Sequence, residues 1–585
     1  ITQSMYVPMR DGVRLAVQVV LPKNLPSGEK IPALLSQTRY WRAIELRAPF
    51  RWFLTPETLD PDFGNFQPFF TSHGYALVTV DVRGTGASFG AWPYPWSEES
   101  IEDAREIVNW IVAQPWSDGQ VGGYGISYFG TTAELLAGLN HPAVKAAIPM
   151  FNHPDAYTDA AFPGGVFDER FIKAWGDMDQ ALDRNQIPQV LGLVGRLLAN
   201  GVKPVGGDGG REQLQAAVRD HAANGHPYHL ARVVECRDDR TSDGAYSIDD
   251  IAVHRFSDEM EHSETAIFGW GSWMDGGTAD AVIRRFLTYD NAQRAVIGAW
   301  DHGGRFHASP YQRPGRPPDP ILPDQWGEML RFFDAHLKDT EDKARSEKVL
   351  FYYTMGEERW KRTAVWPPAG TATQRWYLAE DHSLSLAEPG AESGADRYAV
   401  DFEASTGPYN RWWEMGGLVQ KTVIYSDRKQ AGRHLLTYTS PPLAEDTEIT
   451  GHPVVTLYLS STETDGAVFV YLEDVDEAGQ VTYVTEGQLR LIHRRVSTDS
   501  PPYRLLVPYH SFKREDAAPL MPGQIAEIKF GLLPTSVLIK KGHRIRIGIA
   551  GHDAGNFARI PAQGTPVITV ARNRIHASHI DLPVV

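Results

Sequence analysis

The order of apolar and polar positions along the chain predicts a mainly parallel α/β sheet. Residues 5–9 and 15–19 alternate around Asp11-Gly12, which is the pattern of a β-hairpin. Unbroken apolar runs, typical of strands covered on both faces, follow at residues 31–35, 75–82, 121–125, 144–150, 265–268 and 295–299. Apolar stripes with helical spacing occur at residues 101–111, 131–139, 281–287 and 325–337. Strands that alternate with helices in this way favour a parallel sheet with helices on its faces.

Two segments depart from this pattern. Strand signals fade between residues 152 and 258, where residues 190–199 and 212–222 have helical periodicity. After residue 348, short alternating runs separated by turn residues predict a β-sandwich. We therefore expect an α/β domain formed by residues 1–151 and 259–347, a helical cap inserted at residues 152–258, and an all-β domain at residues 348–585.

Composition and charge narrow the class of protein. Hydrophobic residues make up 42% and charged residues 22% of the 585 residues, which is ordinary for a globular protein. The sequence has no run of 18 apolar residues, so we expect no membrane-spanning helix. With 57 basic and 73 acidic residues the net charge is −16, so neither nucleic acid nor a membrane surface is an expected partner.

The cysteine content bears on the cellular compartment. A single cysteine, Cys236, excludes a scaffold built on disulfides and argues against a metal site built on thiolates. Together with the absence of a visible signal segment, it favours a cytoplasmic location, although a signal peptide removed from the mature chain is compatible with the sequence. The oligomeric state is left open between a monomer and a homo-oligomer.

The strongest chemical signal is the segment GYGISYFG at residues 123–130, which lies between an apolar strand and a helix-favouring run. This is the context of a nucleophile elbow, a sharp turn that exposes the hydroxyl of a serine, here Ser127. The usual pattern is G-x-S-x-G, but Phe129 stands at the second glycine position and Gly130 follows one residue later. A serine nucleophile needs a general base, and the base needs an acid that orients it.

Two later strand ends supply an acid and a base in the order Ser, Asp, His that α/β-hydrolases use. Asp275 follows the run at residues 267–271, and His302 follows the run at residues 296–299. The predicted catalytic triad is therefore Ser127, Asp275 and His302.

Three other residues compete for these roles. Asp280 would lie within the following helix, and Asp301 adjoins the histidine, which gives poor geometry for a hydrogen bond to it. His307 is a rival base, but His302 is favoured because it directly follows the strand.

The oxyanion hole would use the backbone N–H of Tyr128, the residue after the nucleophile. A second donor should come from the loop after an earlier strand, at residues 37–41. Position alone does not distinguish Tyr40 from Arg39 or Gln37.

Several segments together carry a family resemblance. The elbow GISYFG at residues 125–130, DVRGTGASFG at residues 81–90 and QPWSDG at residues 114–119 resemble motifs of one group of serine hydrolases. FDAHLK at residues 333–338 and GHRIR at residues 542–546 extend the likeness over nearly the whole chain. The chain resembles the cocaine esterase, X-prolyl dipeptidyl-peptidase and α-amino-acid ester hydrolase family (CocE/NonD-type serine hydrolases).

The resemblance implies an α/β-hydrolase domain, an inserted helical cap and a C-terminal jelly roll. It also implies the same triad and a tyrosine hydroxyl that completes the oxyanion hole, a place that Tyr40 occupies. The α-amino-acid ester hydrolases resemble one another in a carboxylate cluster that binds the substrate ammonium, with two acids shortly after the triad acid. Residues 276–279 contain no acid. Cap acids are the alternative source of such a cluster, although an exposed charged face is the favoured interpretation of Asp155, Asp159, Asp168 and Glu169.

Aromatic residues flank the predicted catalytic positions, and an aromatic lining would suit an aryl or alkyl ester. Packing at domain interfaces is the alternative role for each of them. The candidate pocket residues are Trp41, Phe129, Trp273 and Trp300, and Trp412-Trp413 of the all-β domain could reach the same cleft.

No cofactor or metal ion is expected. Residues 258–262 (DEMEH) have the composition of a metal cluster, but an exposed charged helix is favoured. His302 and His307 have no third ligand nearby in the sequence, and Phe89 stands where a dinucleotide-binding segment would have its third glycine.

The sequence thus predicts a serine hydrolase that cleaves carboxylic esters of a small molecule, or amides, through an acyl-enzyme. The alternatives are an X-Pro dipeptidyl-peptidase and a β-lactam acylase or acyltransferase of the same family. A non-catalytic protein that binds carbohydrate through its jelly roll is a further alternative, which the complete triad order disfavours.

Overall fold

The computed structural model describes residues 1–54, 65–206, 209–338, 340, 347–415 and 421–585. Up to residue 363 its strands are β1 (Thr2–Pro8), β2 (Arg14–Val20), β3 (Ile31–Thr38), β4 (Ile44–Leu46), β5 (Ala76–Asp81), β6 (Ser117–Ile126), β7 (Val144–Met150), β8 (Ala199–Val202), β9 (Ala266–Ser272), β10 (Gln293–Gly298), β11 (Val349–Thr354) and β12 (Arg359–Thr363). Its α-helices are α1 (Phe66–Ser72), α2 (Glu98–Val112), α3 (Tyr128–Gly138), α4 (Glu169–Asp183), α5 (Gly192–Leu198), α6 (Gly210–Asp220), α7 (Pro227–Ala231), α8 (Ser257–His262), α9 (Thr278–Thr288) and α10 (Leu322–Leu337). None of these described helices is long and apolar enough to cross a membrane.

Ten of the described strands form one sheet in the order β1-β2-β5-β3-β6-β7-β9-β10-β11-β12. The pairs from β5 to β11 are parallel. Helices α2, α3, α9 and α10 begin and end within a few residues of the apolar stripes predicted from the sequence. Helix α3, for example, packs against β3, whose residues are all buried. The prediction of a mainly parallel α/β domain is confirmed.

The predicted hairpin forms the antiparallel edge of this sheet. Strands β1 and β2 pair with Pro8 opposite Arg14, and the Met9 N–H donates to Val13 O at 2.7 Å. Gly12 adopts φ 84°, a conformation that a glycine reaches without steric cost. The Asp-Gly signal therefore marks the turn itself.

The other edge of the sheet extends past the predicted domain boundary at residue 347. Strand β11 pairs in parallel with β10, and β12 closes the edge as an antiparallel partner of β11. Residues 349–363, which were predicted to belong to the all-β domain, thus hydrogen-bond to the α/β sheet. An antiparallel edge strand such as β12, which is partly exposed along its length, has the same local pattern as a strand of a sandwich.

The segment between β7 and β9 is largely helical, as expected for the inserted cap. Its longest helix, α4, begins after Asp168, whose carboxylate accepts the Phe171 N–H at 3.3 Å and caps the helix. The helix expected at residues 190–199 is shorter, because the chain becomes strand β8 at Ala199. Strand β8 pairs with β4 and so joins the cap to the α/β domain.

The C-terminal part is all-β, as predicted. Its strands are β13 (Ala372–Ala379), β14 (Ser383–Ser385), β15 (Ala395–Ala399), β16 (Leu436–Thr439), β17 (Thr447–Gly451), β18 (Val454–Ser461), β19 (Ala467–Val475), β20 (Val481–Arg490), β21 (Ala526–Gly531), β22 (Thr535–Ile539), β23 (Arg544–Ala550), β24 (Val567–Ala571) and β25 (His579–Val584). They pair almost entirely antiparallel, and β19 is buried along nearly its whole length between β20 and β23.

A buried ion pair joins α3 to α9. Arg285 of α9 donates through Nε to Glu134 Oε1 at 2.6 Å and through Nη2 to Glu134 Oε2 at 2.5 Å. Both side chains are at most 2% exposed, and Asn152 also donates to Glu134 at 2.6 Å. The pair therefore fixes the helix that follows Ser127 against the helix that follows Asp275.

Replacing Glu134 by alanine should destabilise the α/β domain strongly, because the Arg285 guanidinium would stay buried without its partner. We expect a loss of about 3–5 kcal/mol in the free energy of unfolding, measured as a lower urea midpoint of tryptophan fluorescence. The matched control is Glu102→Ala, which removes an exposed partner of Arg105 and should cost less than about 1 kcal/mol. Equal midpoints for the two variants would show that the buried pair is dispensable.

Candidate active site

Ser127 lies on a sharp turn between β6 and α3. Its backbone has φ 61° and ψ −123°, a conformation that residues other than glycine rarely adopt. The chain turns back tightly here, since a β-carbon built on Gly125 would lie 2.3 Å from Phe129 Cβ. The Ser127 N–H donates to Met150 O at the end of the neighbouring strand at 2.9 Å. These are the features expected of a nucleophile elbow.

The glycine that follows the serine is displaced by one residue for a packing reason. A β-carbon on Gly130 would lie 2.6 Å from Met150 O and 2.8 Å from Asn152 Cβ, so a side chain has no room there. Position 129 has room, and the half-buried Phe129 ring packs against Tyr40 with centroids 5.4 Å apart. The glycine is therefore required at position 130 and not at position 129.

The predicted acid and base meet in the structure. Asp275 follows β9, His302 follows β10, and His302 Nδ1 lies 2.9 and 3.0 Å from the two carboxylate oxygens of Asp275. Burial alone would lower the pKa of His302. The negative charges of Asp275, Glu414 and Asp301 and the hydrogen bond to Asp275 outweigh burial and raise this pKa to about 9.

The rival acids and the rival base are engaged elsewhere. Asp280 accepts a hydrogen bond from His452 at 2.8 Å, and Asp301 accepts the backbone N–H groups of residues 305 and 306. His307 lies 3.3 Å from the Tyr353 hydroxyl. Burial lowers the pKa of His307, whereas burial raises that of Asp301 to about 7. These contacts leave the Asp275–His302 pair as the better acid and base.

Ser127 and His302 lie on adjoining segments. A β-carbon built on Gly303, the residue after His302, would lie 3.8 Å from Cγ2 of Ile126, the residue before Ser127. Ser127 is partly exposed at the turn. Contacts between a nucleophile and its base commonly tighten only in the substrate complex.

Two candidate oxyanion donors lie beside the turn. Tyr128 is the first residue of α3, so its N–H has no partner within the helix. The Tyr40 hydroxyl accepts a hydrogen bond from Trp175 Nε1 at 2.7 Å, which leaves its own proton free to be donated. Burial raises the pKa of Tyr40 well above its ordinary value, so the hydroxyl stays protonated. Its ring lies 6.0 Å from that of Tyr128.

The cap helix α4 holds the loop that carries Tyr40. Trp175, Asp179 and Asp183 share one face of this helix at intervals of four residues. Asp179 and Asp183 both pair with Arg39, the latter at 2.8 Å. Sequence reasoning missed Trp175, and this spacing was the only signal that could have found it.

The other side of the same loop is held by the α/β domain. Asp81 accepts the Arg42 N–H at 2.5 Å and Arg42 Nη1 at 2.9 Å. It also accepts the Ala87 N–H at 2.9 Å, and a β-carbon on Gly86 would lie 2.3 Å from its carboxylate. Asp81, the first residue of the segment DVRGTGASFG, therefore stabilises both the loop of that segment and the loop that carries Tyr40.

The predicted pocket aromatics occupy different surroundings. Phe129 packs on Tyr40, as described. Trp41, Trp273 and Trp300 are buried. Each donates its indole N–H to a backbone carbonyl: Trp41 to Leu182, Trp273 to Tyr353 and Trp300 to Asp319. Trp413 lines a narrow crevice together with Asp275 and His302, so the C-terminal domain reaches the predicted triad. The pocket-lining role of these residues stays a prediction.

The cap acids considered as an ammonium-binding cluster all have partners within the chain. Asp155 pairs with Arg237 at 2.8 Å, and Asp159 pairs with Arg284. Asp168 caps α4, and Glu169 accepts the Tyr228 hydroxyl at 2.8 Å. Three of the four are buried at an interface rather than exposed on a charged face, which corrects the favoured interpretation for Asp155, Asp159 and Asp168.

Two groups of described side chains bring three potential metal-ligating atoms within 4.8 Å of one another: Asp275, His302 and Glu414, and Cys236, Asp238 and Asp239. In the first group Asp275 and His302 already bind each other. In the second group Asp239 accepts the backbone N–H groups of residues 235 and 236. That no metal ion or cofactor is bound stays a prediction.

Both parts of the chain match known family models. Residues 11–304 match the X-Pro dipeptidyl-peptidase (S15 family) model, and residues 342–581 match the X-Pro dipeptidyl-peptidase C-terminal non-catalytic domain. A Mycobacterium bovis protein named as a serine esterase is 45% identical over 603 residues, which cover 100% of this chain and 95% of that protein.

More distant relatives extend over the same length. The cocaine esterase of Rhodococcus sp. strain MB1 Bresler is 25% identical over 635 residues, which cover 100% of this chain and 98% of that enzyme. The solved structure of an α-amino acid ester hydrolase superposes with a TM-score of 0.71 at 22% identity, covering 100% and 96% of the two chains, and so shares the fold. The matches to both models and the close full-length relative show that the chain belongs to the X-Pro dipeptidyl-peptidase (S15) family of serine hydrolases.

Proposed function

We propose that this protein hydrolyses carboxylic esters with aryl or alkyl acyl groups through Ser127, His302 and Asp275. The observation that carries the proposal is the Asp275–His302 hydrogen bond, formed at two neighbouring strand ends beside the strained turn at Ser127. Esters are the preferred substrates because the relative at 45% identity is named as a serine esterase and a full-length relative is a cocaine esterase.

The reaction proceeds by acyl transfer in two stages. His302 Nε2 takes the Ser127 hydroxyl proton while Ser127 Oγ attacks the ester carbonyl, and Asp275 stabilises the resulting imidazolium. The Tyr128 N–H and the Tyr40 O–H donate to the oxyanion. The imidazolium then gives its proton to the departing alkoxide, and water hydrolyses the acyl-enzyme by the same route.

The second candidate is release of X-Pro dipeptides, which the name of the matching family model suggests. Such a peptidase must bind the free amino terminus of its substrate through uncompensated acids. The cap acids described above are already engaged by Arg237, Arg284, Tyr228 and the start of α4. This favours ester hydrolysis over dipeptide release, and over the β-lactam acylase or acyltransferase reaction, for which no described feature speaks.

A side-by-side rate assay tests the nucleophile and the substrate class. We expect rapid turnover of p-nitrophenyl butyrate, no release from Ala-Pro-p-nitroanilide, and loss of both esterase activity and fluorophosphonate labelling in Ser127→Ala. Removing a triad member typically lowers kcat by about 10⁶. The control Ser242→Ala removes an exposed hydroxyl that donates to His229 O and should behave as wild type. Full activity in Ser127→Ala would exclude this nucleophile, and strong anilide cleavage would make the protein a peptidase.

Tyr40→Phe and Trp175→Phe test the second oxyanion donor. Loss of the Tyr40 hydroxyl should lower kcat by about 10²–10³, the usual effect of removing one such donor. Loss of the Trp175 N–H leaves the hydroxyl in place but frees its orientation, so we expect a smaller loss of about 3–10-fold, as for one neutral hydrogen bond. Trp52→Phe, at an exposed tryptophan, is the control. An unchanged kcat in Tyr40→Phe would remove Tyr40 from the mechanism.

The pH dependence of kcat/KM tests the base. His302 must be neutral to accept the serine proton, and its pKa is raised to about 9, so kcat/KM should rise with pH up to about that value. The acid limb should therefore lie above 6.5, the ordinary pKa of histidine. Asp275→Asn should move this limb to lower pH while reducing kcat by about 10⁴. An acid limb at or below 6.5 in the native protein would contradict the described charge arrangement.

A further inference from the structure

A second pair of an imidazole and a carboxylate lies beside the Asp275–His302 pair. His153 Nε2 and Glu414 Oε2 are 2.8 Å apart, and the two side chains are only 7% and 2% exposed. The rings of His153 and His302 are parallel within 4°, with centroids 6.3 Å apart. Glu414 also has a carboxylate oxygen within 4.8 Å of ligating atoms of Asp275 and His302.

A contact between the C-terminal domain and the α/β domain positions Glu414. Glu414 belongs to the C-terminal part, and its Oε1 occupies the space beside Gly276, where a β-carbon would lie 2.4 Å away. Gly276 has φ 41° and donates its N–H to Arg411 O at 2.9 Å, while Arg411 Nη2 donates to Gly276 O at 2.9 Å. The residue after the triad acid is therefore a glycine that admits a carboxylate from the other domain.

The charged groups around His302 and His153 affect the pKa of each imidazole. Asp275, Asp301 and Glu414 face His302, and all three favour its imidazolium form. Two further buried acids interact electrostatically with the pair, Asp159 with His153 and Asp168 with Glu414. Two cations, Arg411 and Lys421, line the crevice beside His302.

His153 has Glu414 as its one hydrogen-bond partner, since its Nδ1 is buried without one among the described residues. Burial alone would lower the pKa of His153, but the charge and hydrogen bond of Glu414 outweigh burial and raise it. A protonated His153 would offset the charge of Glu414 and disfavour a second cation on His302.

We propose that Glu414 and His153 are positioning residues of the hydrolase, in which Glu414 stabilises the imidazolium form of His302 and His153 holds Glu414 and offsets its charge. This inference rests on the proposed triad mechanism. Ser127 attack creates the His302 imidazolium, and a carboxylate held nearby in a buried site lowers the free energy of that charged state. The contact between the domains thus contributes a charge to catalysis.

The test is the acid limb of kcat/KM for p-nitrophenyl butyrate hydrolysis in single variants of the full chain. Glu414→Gln keeps the shape and a hydrogen bond to His153 but removes the charge, so the limb should move down by about one pH unit or more. His153→Gln keeps a hydrogen-bond donor to Glu414 but has no ring that can take up a second proton, so the limb should stay in place or move up, and a downward shift would contradict the role given to His153. Glu414→Asp keeps the charge at a greater distance, so it should shift the limb less than Glu414→Gln and provides a second variant if the amide folds poorly.

The control is Glu486→Gln, another buried carboxylate of the C-terminal domain, which accepts a hydrogen bond from Trp412 and should leave the limb in place. A merely structural role would lower kcat at every pH without moving the limb, and that result in both Glu414 variants would overturn the proposal. Failure of the triad mechanism itself would be distinguishable, because Ser127→Ala would then retain activity.

Discussion

The turn at Ser127 is the constraint on which the rest of the site depends. A positive φ in a serine costs of order 1–3 kcal/mol and persists only where the surrounding structure determines it. Here the N–H of Ser127 binds Met150 O, and Gly125 and Gly130 allow the strand, the helix and the neighbouring strand to approach closely. The helix that begins at the turn is held through Glu134 to the helix that follows Asp275. The positions of Ser127 and Asp275, the proposed nucleophile and acid, are therefore linked through these two helices.

Each of the remaining groups is held by a different part of the chain. The Tyr40 loop is fixed from one side by Asp81 and from the other by the cap helix through Arg39 and Trp175. The Asp275 loop is fixed by Arg411 of the C-terminal domain. Catalytic groups must be placed to within a fraction of an ångström. In the proposed mechanism that precision requires all three parts of the chain to be assembled.

Features that depend on short segments of the sequence could be predicted. Features that depend on contacts between residues far apart in the sequence could not. The central strands, the elbow, Asp275 and His302 depend on short apolar runs and on the residues that follow them, and these are visible in the sequence. Trp175, His153 and Glu414 act through contacts with residues more than one hundred positions away, which no local pattern reports. The pairing of residues 359–363 with the α/β sheet was not predicted, because an exposed antiparallel strand has the same local pattern in either sheet.

Buried charged groups lie where the three parts of the chain meet. Arg284 of the α/β domain pairs with Asp159 of the cap. The Tyr503 hydroxyl of the C-terminal domain donates at 2.6 Å to Asp155, which pairs with Arg237 inside the cap. Buried ion pairs add little net stability compared with apolar packing of the same volume, because each charge loses its hydration. Apolar faces could slide past one another at small cost, whereas misaligned buried charges would lose their partners. We interpret this interface as one that fixes orientation, which a site assembled from three parts of the chain needs more than it needs additional stability.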